Sequence, residues 1–202
     1  MSREPVEWGV AAQCRRGEVT SGDLAIVTWL PDGPLVAAVD GLGHGHEAAR
    51  AAEAAGEVLR ECANPDLVRL VERCHRALRH TRGAAISLAF VSLLKSTMTW
   101  LGVGNVEGRV MSGDPSATRL KGSLALGSGV PGHELPRMRT ATIDVRPGDV
   151  LVLATDGIRT AFADSLDTSG SPQAISDRIM AGYRRPTDDA LVVAVRYLGL
   201  RP

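Results

Sequence analysis

Two apolar runs in this chain each end in an aspartate followed by glycine, at Asp40-Gly41 and at Asp156-Gly157. A third acidic pair, Asp188-Asp189, directly precedes the last apolar run. Runs this apolar are typical of buried strands, and a carboxylate at the end of a buried strand is costly unless it is paired or bound to a cation. The pattern therefore predicts carboxylates that converge on hard metal ions. An oxygen-only ligand set favours Mg²⁺ or Mn²⁺ over Zn²⁺.

The bulk composition predicts one domain with an aliphatic core. The chain has 202 residues, of which 44% are hydrophobic and only 3% aromatic, so Ala, Val and Leu must fill the interior. We interpret residues 1–202 as a single domain, because acidic positions as far apart as Asp40 and Asp189 must meet in one site. The formal net charge is zero. This argues against nucleic acid as a partner, since a phosphate backbone calls for a basic surface.

The lack of recognisable targeting signals and the pattern of cysteines predict a cytoplasmic protein. No apolar stretch is as long as a membrane span, and the first residues lack the apolar core of a signal peptide. Cys14, Cys62 and Cys74 show no CxxC spacing. We therefore expect three reduced thiols rather than a disulfide or a zinc site. No membrane partner is expected.

Periodicity predicts runs of strands with clustered helices, which is typical of a layered α+β domain. Pro65 suits the first turn of the second helix, and Ser171 with Pro172 suits the start of the last helix. The segment Ser112–Pro136 is rich in Gly, Ser and Pro, and we expect a long irregular loop that borders the site. The predicted strands cover residues 6–13, 24–30, 35–39, 84–94, 97–103, 109–111, 138–145, 150–156 and 190–195, and the predicted helices cover residues 48–62, 65–78 and 172–183.

The second predicted helix carries a basic face. Five arginines lie between positions 69 and 82, with Glu72 among them. We interpret this face as solvated, because charged side chains are mostly exposed and Glu72 interrupts the positive charge. A patch for an acidic partner is the alternative.

Four motifs, in order along the chain, resemble those of a known family. The chain is similar to the metal-dependent serine/threonine phosphatases of the SpoIIE branch, within the wider type 2C superfamily. The resemblance extends over nearly the whole chain, and four ordered motifs are far more specific than a single Asp-Gly. The motifs are Ser21-Gly22-Asp23, Val39-Asp40-Gly41-Leu42-Gly43-His44-Gly45-His46-Glu47-Ala48-Ala49, Ala154-Thr155-Asp156-Gly157 and Thr187-Asp188-Asp189-Ala190.

This resemblance implies a four-layer α/β/β/α sandwich, with two antiparallel sheets face to face and a metal site at one edge. It implies hydrolysis of phosphoserine or phosphothreonine in a protein by a water that two Mn²⁺ or Mg²⁺ ions activate. Within the branch, the chain is most similar to the small phosphatases of the bacterial sigma-B stress pathway. The implied partner is a phosphorylated stressosome scaffold or an anti-sigma pathway protein. A non-catalytic or weakly active regulatory module of the same fold is the alternative, which the intact acidic motifs disfavour.

The resemblance also implies a role for each acidic motif residue. Asp40 bridges the two ions, the Gly41 carbonyl binds one of them, and Asp156 binds one ion. Asp40 and Asp156 are therefore the expected catalytic residues. Asp188 completes the set, with Asp189 left open as the alternative ligand. Asp23 binds an ion directly or holds its water.

The sequence departs from family patterns at three places, none of which is a primary ligand. Leu42 stands where many type 2C phosphatases have a histidine, and His44 follows two residues later. We expect His44 to cap or orient the following helix, and a role as the acid for the leaving group is the alternative. Asn105 lies in a turn that differs from the usual motif, and Leu191 replaces a frequent threonine. The Gly-rich loop lacks the lysine of a P-loop, so no nucleotide cofactor is expected.

Overall fold

The fold is built from two sheets and three α-helices. The computed structural model describes residues 4–61, 63–114 and 120–200. The helices are α1 (Gly45–Arg60), α2 (Leu67–Leu78) and α3 (Pro172–Tyr183), and a 3-10 helix covers Thr160–Ser165. The strands are β1 (Val6–Gln13), β2 (Asp23–Leu30), β3 (Gly33–Gly41), β4 (Ala84–Ser92), β5 (Thr97–Val103), β6 (Glu107–Met111), β7 (Leu120–Ser123), β8 (Leu126–Gly127), β9 (Ala141–Asp144), β10 (Val150–Ala154) and β11 (Ala190–Tyr197).

The strands form two sheets of different order. The first sheet has the order β1-β11-β10-β6-β7, and the second has the order β2-β3-β4-β5-β8, with β9 paired to β5. Strand pairs are antiparallel throughout, except that the two-residue β8 lies parallel to β5. The predicted α+β class with two sheets is confirmed, and among the described strands the parallel β5–β8 pair is the exception to the predicted antiparallel pairing.

Successive side chains of the central strands point alternately to two buried faces, which explains why these sequences are apolar without a break. In β3, Leu35 and Val39 face a core shared with α1 and α2, whereas Val36 and Ala38 face the other sheet. In the same way, β11 directs one face toward the second sheet and the other toward α3. A strand covered on both faces needs apolar residues at every position. The layers are therefore α1 and α2, the second sheet, the first sheet, and α3.

The N-terminus of α3 has the predicted capping residues, whereas the N-terminus of α2 differs from the prediction. Ser171 caps α3 by accepting a hydrogen bond from the Ala174 N–H, and Pro172 occupies the first turn, as predicted. Pro65, however, lies before α2 rather than in its first turn, because Asp66 takes the capping position and accepts from the Arg69 N–H. A side-chain oxygen is the better N-cap, so the proline precedes it. Within the described ranges, no helix is long and apolar enough to cross a membrane.

The cysteine prediction can be followed at two of its three positions. The Cys74 thiol lies on the buried face of α2, and the Cys14 thiol is half-buried after β1. Cys62, at the end of the first predicted helix, lies outside the described residues.

The segment Ser112–Pro136 is more ordered than its composition predicted. Its described part contains β7 and β8 in place of an uninterrupted loop, and residues 115–119 lie outside the described ranges. Both strands are short and pair through the backbone with β6 and β5. Polar and glycine residues in β7 give no alternating apolar face, so no periodicity could reveal this strand.

Replacing glycine by alanine is expected to have opposite effects on stability at two positions. A Cβ on Gly9 in β1 would meet the backbone of Gln173 at the start of α3, while one on Gly182 near the end of α3 would meet nothing within 4 Å. We expect Gly9→Ala to lower the free energy of unfolding by about 1–3 kcal/mol through overpacking. Gly182→Ala should raise it by about 0.5–1 kcal/mol, because a helical glycine costs backbone entropy. Urea denaturation followed by circular dichroism measures both. Equal effects of the two would contradict the close packing of α3 on β1.

Candidate functional site

The acidic motif residues meet at one edge of the sandwich. Asp23 and Asp40 lie opposite each other in the β2–β3 pair. Asp156 follows β10 and Asp188 precedes β11, and these antiparallel neighbours place both residues at the same edge of the first sheet. A cavity of about 300 Å³ opens here, and its lining residues are Arg15, Asp40, Leu42, Gly43, His44, Asn105, Asp156, Thr187 and Asp188.

Crowding and burial raise the pKa values of these carboxyl groups. Burial raises the pKa of Asp23 to about 8, with the negative charge of Asp40 as the next cause. Burial, followed by the charges of Asp156 and Asp188, raises the pKa of Asp40 to about 7. The pKa of Asp156 is raised by desolvation and then by Asp188. The carboxylates destabilise one another's charged forms, so a cation among them would be strongly favoured.

A hydrogen-bond relay through Thr155 connects two of the four motifs with the start of β11. The Thr155 hydroxyl donates to Asp23 Oδ2 over 2.8 Å and accepts from the Leu191 N–H over 2.9 Å. Asp23 is thereby fixed toward the first sheet, although its strand belongs to the second. Sequence reasoning gave Thr155 no role; its position directly before Asp156 was the only available signal.

Asn105 is a second residue whose role the sequence did not show. It lies in the turn between β5 and β6, where Gly104 has a φ of +104°. The Asn105 side-chain N–H donates to Asp156 Oδ2 over 2.7 Å, and this amide also lowers the pKa of Asp40. Asn105 thus orients one carboxylate of the cavity and partly offsets the charge of another.

Asp189 differs from its neighbour Asp188 in what it contacts. Asp189 is 4% exposed. Its Oδ1 accepts from the Arg15 N–H over 2.7 Å, and its Oδ2 accepts from the Gly22 N–H over 2.8 Å. Gly22 in turn accepts at its carbonyl from the Gly41 N–H. Asp189 therefore holds the loop between β1 and β2 against the Asp-Gly turn at the end of β3.

The glycines of both Asp-Gly motifs are explained by close approach. A Cβ on Gly41 would collide with the Ala48 carbonyl of α1, and one on Gly157 would collide with the Asp189 carbonyl. Neither glycine has a positive φ. Any side chain here would push apart the segments that bring the aspartates together.

His44 does not cap the following helix with its side chain. It occupies the N-cap position of α1 without a side-chain capping bond. Its Nδ1 instead lies 2.9 Å from Glu18 Oε1, and both side chains are partly exposed. The prediction that His44 orients the start of α1 thus holds only for its backbone position. The imidazole ring lines the cavity.

The cavity has a different wall from the one expected. Among the described residues, none of its lining comes from Ser112–Pro136. The segment contacts neighbours of the site through its backbone: the Pro131 carbonyl accepts from the Ala84 N–H at the start of β4, and the Gly127 carbonyl accepts from the Gly104 N–H. The loops that follow β1 and precede β11 contribute Arg15 and Thr187 instead.

Asp23→Asn should change how the stability of the metal-free protein depends on pH. Because the folded pKa of Asp23 is raised from 3.8 to about 8, its stabilising contribution is complete below pH 4 and is lost as the pH rises toward 8. An asparagine keeps the uncharged hydrogen-bonding form at every pH. In EDTA, the melting temperature of Asp23→Asn relative to the unsubstituted protein should therefore increase from pH 4 to pH 8.

The matched control is Asp144→Asn, at an exposed position of β9. Its melting temperature should follow that of the unsubstituted protein across the same range. A constant difference between Asp23→Asn and the unsubstituted protein from pH 4 to pH 8 would contradict the raised pKa.

Comparison with known proteins identifies the family. The family described as Stage II sporulation protein E (SpoIIE) matches residues 31–198. "Phosphoserine phosphatase RsbX" of Bacillus subtilis (strain 168) is 30% identical over 128 residues, which are 63% of this chain and only 62% of that protein's length.

Two solved structures share the fold over almost the whole chain. One is described as "The bacterial stressosome: a modular system that has been adapted to control secondary messenger signaling"; it superposes with a TM-score of 0.86 at 30% identity, covering 96% of this chain and 100% of that one. RsbX in complex with magnesium superposes with a TM-score of 0.85 at 23% identity, covering 97% of each chain. Because the family match extends over most of its length, this chain belongs to the SpoIIE family.

Proposed function

We propose that this chain is a metal-dependent phosphoprotein phosphatase that hydrolyses phosphoserine or phosphothreonine. The observation that carries the proposal is the group of carboxylates from separate motifs that border one cavity and raise one another's pKa. Family membership and the similarity to a protein named phosphoserine phosphatase support it. The proposal includes a single phosphatase domain over residues 1–202, which is supported by the apolar core between the two sheets.

The donor chemistry of the site fits hard divalent cations. Carboxylate oxygens dominate the cavity, and such donors suit Mg²⁺ and Mn²⁺. Within the described ranges, no three His, Cys, Asp or Glu side chains are arranged to hold an ion by themselves. A backbone carbonyl and water must therefore complete each coordination shell. This agrees with Mg²⁺, which usually keeps several waters and binds through one or two carboxylates.

We assign the ligands from the contacts that each oxygen already makes. Asp40, the Gly41 carbonyl, Asp156 and Asp188 are the proposed ligands of two Mn²⁺ or Mg²⁺ ions. Asp188 is preferred to Asp189, because both oxygens of Asp189 already accept backbone hydrogen bonds. Asp23 is held by Thr155 and lies opposite Asp40 in the β2–β3 pair. From there it can hold a metal-bound water or bind an ion directly.

The residues of this chain contribute position and charge rather than a nucleophile. When bound, two divalent ions lower the pKa of water and neutralise phosphoryl oxygens. Asn105 keeps Asp156 in one orientation, and Thr155 does the same for Asp23. Asp189 keeps the loop carrying Arg15 beside the cavity. A preorganised site of this kind need not rearrange as the phosphoryl group reacts.

We propose a phosphorylated protein of a bacterial stress-signalling complex as the substrate, either a stressosome scaffold or an anti-sigma pathway protein. The support is similarity to RsbX and to a chain from a stressosome study, the latter at 30% identity over almost the full length. The cavity measures about 300 Å³, at the lower end of the range for ligand pockets, so recognition of a protein substrate must extend to the surrounding surface.

Metal dependence is the first test of this function. The purified protein should hydrolyse p-nitrophenyl phosphate and a phosphoserine protein in Mn²⁺ and lose activity in excess EDTA, because the proposed mechanism relies on divalent ions to activate water and neutralise the phosphoryl oxygens. Adding Mn²⁺ back should restore the rate. Hydrolysis that persists in EDTA would exclude the metal mechanism, and no hydrolysis with any divalent ion would favour the regulatory module.

Substitutions rank the proposed roles. Asp40→Asn and Asp156→Asn should each lower kcat/KM for p-nitrophenyl phosphate by at least about a hundredfold, since each removes the charge of a ligand. His44→Ala should lower it much less, because His44 contacts Glu18 rather than an aspartate of the site. Calorimetric titration with Mn²⁺ separates lost metal binding from lost chemistry. A His44→Ala defect as large as that of Asp40→Asn, with metal binding intact, would show that His44 is catalytic.

A further inference from the structure

We propose that four arginines beside the cavity form a basic rim that binds acidic residues flanking the phosphorylated residue of a protein substrate. The basic rim consists of Arg15 and Arg16, in the loop after β1, and Arg184 and Arg185, in the loop after α3. This inference rests on the proposed phosphatase function and adds the chemical class of its protein substrate.

Backbone contacts join the two loops into one platform. The Arg16 N–H donates to the Pro186 carbonyl over 3.2 Å, and the Arg185 N–H donates to the Gly157 carbonyl over 2.7 Å. The Arg184 side chain crosses the junction and donates to the Cys14 carbonyl over 2.6 Å. The rim therefore presents its charges from a fixed backbone, which lowers the entropic cost of binding.

The rim arginines lack anionic partners that other arginines of this chain have. Ion pairs occupy Arg50, Arg60, Arg69, Arg109 and Arg178. In the described part of the chain, none of the rim arginines has a carboxylate within ion-pair distance. The buried Arg184 Nε has no hydrogen-bond partner there either. Arg185 is near enough to Asp156 for its charge to lower the pKa of that carboxyl group, but it forms no ion pair with it. Four arginines without ion pairs at one place, on a chain of zero net charge, indicate an anionic partner.

The position of the rim defines which part of a substrate it meets. Arg15 is half-buried and lines the cavity, whereas Arg16 and Arg185 are exposed outside it. A phosphoryl group in the cavity would leave the neighbouring residues of its protein against these two exposed guanidinium groups. Guanidinium binds carboxylates in a two-pronged geometry that an ammonium group cannot reproduce.

Ion binding would strengthen the basic character of this face. The aspartates of the site oppose the rim charges in the metal-free protein. Two divalent ions would offset the charge of four of these aspartates, leaving the arginines largely unopposed. The substrate class is therefore a phosphorylated segment with glutamate or aspartate on either side.

The test compares two phosphoserine peptides that differ only in having three Glu or three Gln residues around the phosphoserine. The unsubstituted protein should show a kcat/KM about tenfold higher for the Glu peptide, and this preference should decline with added salt. In the double variant Arg16→Glu/Arg185→Glu the preference should vanish or reverse, while Arg16→Lys/Arg185→Lys should keep most of it. Arg73→Glu, on the exposed face of α2, is the matched control and should leave it intact.

Fluorescence anisotropy with the same peptides, without phosphate and in Mn²⁺, separates the rim from catalysis. Tighter binding of the Glu peptide that the Arg16→Glu/Arg185→Glu variant loses supports the rim even if no turnover is observed. Equal binding and equal turnover of the two peptides would overturn it. Equal or tighter binding of a single-stranded oligonucleotide would overturn the assignment to a protein segment. Hydrolysis of p-nitrophenyl phosphate in parallel reports on the phosphatase function alone.

Discussion

Electrostatic repulsion among carboxylates at one sheet edge is the constraint on which the site depends. Asp40 comes from the second sheet, whereas Asp156 and Asp188 come from the first. Apolar packing between the sheets forces these charges together, and the raised pKa values of Asp40 and Asp156 record the cost. A protein without a use for cations at this edge would gain stability by replacing any one of them. The same packing thus makes the charged carboxylates at this edge unfavourable without a neutralising cation. It also makes the edge strongly attractive to divalent ions.

Small residues allow this convergence. Gly41 and Gly157 each follow a site aspartate and lie against a backbone carbonyl of another segment. The alanines of α1 bring that helix equally close to the second sheet, since Ala48, Ala51 and Ala55 are fully buried. The low aromatic content and the short distance between the layers therefore both follow from one requirement. The layers must approach until strand ends from both sheets border a single cavity.

The sequence was informative where a residue's role depends on its own strand. Apolar runs ending in Asp40 and Asp156 predicted both the buried strands and the shared edge, because an unbroken apolar run and its terminal carboxylate are visible within one segment. The capping of α3 by Ser171 was predicted for the same local reason. The roles of Thr155 and Asn105 depend on partners far away in sequence, so no local pattern contains them. The strands within Ser112–Pro136 were missed because backbone pairing to a neighbouring strand, rather than an apolar face, defines them.

Asp188 and Asp189 illustrate how adjacent identical residues acquire different roles. Both residues precede β11, but Asp188 lines the cavity whereas Asp189 accepts hydrogen bonds from the Arg15 and Gly22 N–H groups of the loop after β1. That loop carries Arg15 and Arg16 of the basic rim. One junction before β11 therefore supports both the acidic cavity and the basic rim. A change that moved this junction would alter the acidic cavity and the surface around it together, so in the proposed function phosphoryl chemistry and recognition of flanking residues would depend on the same junction.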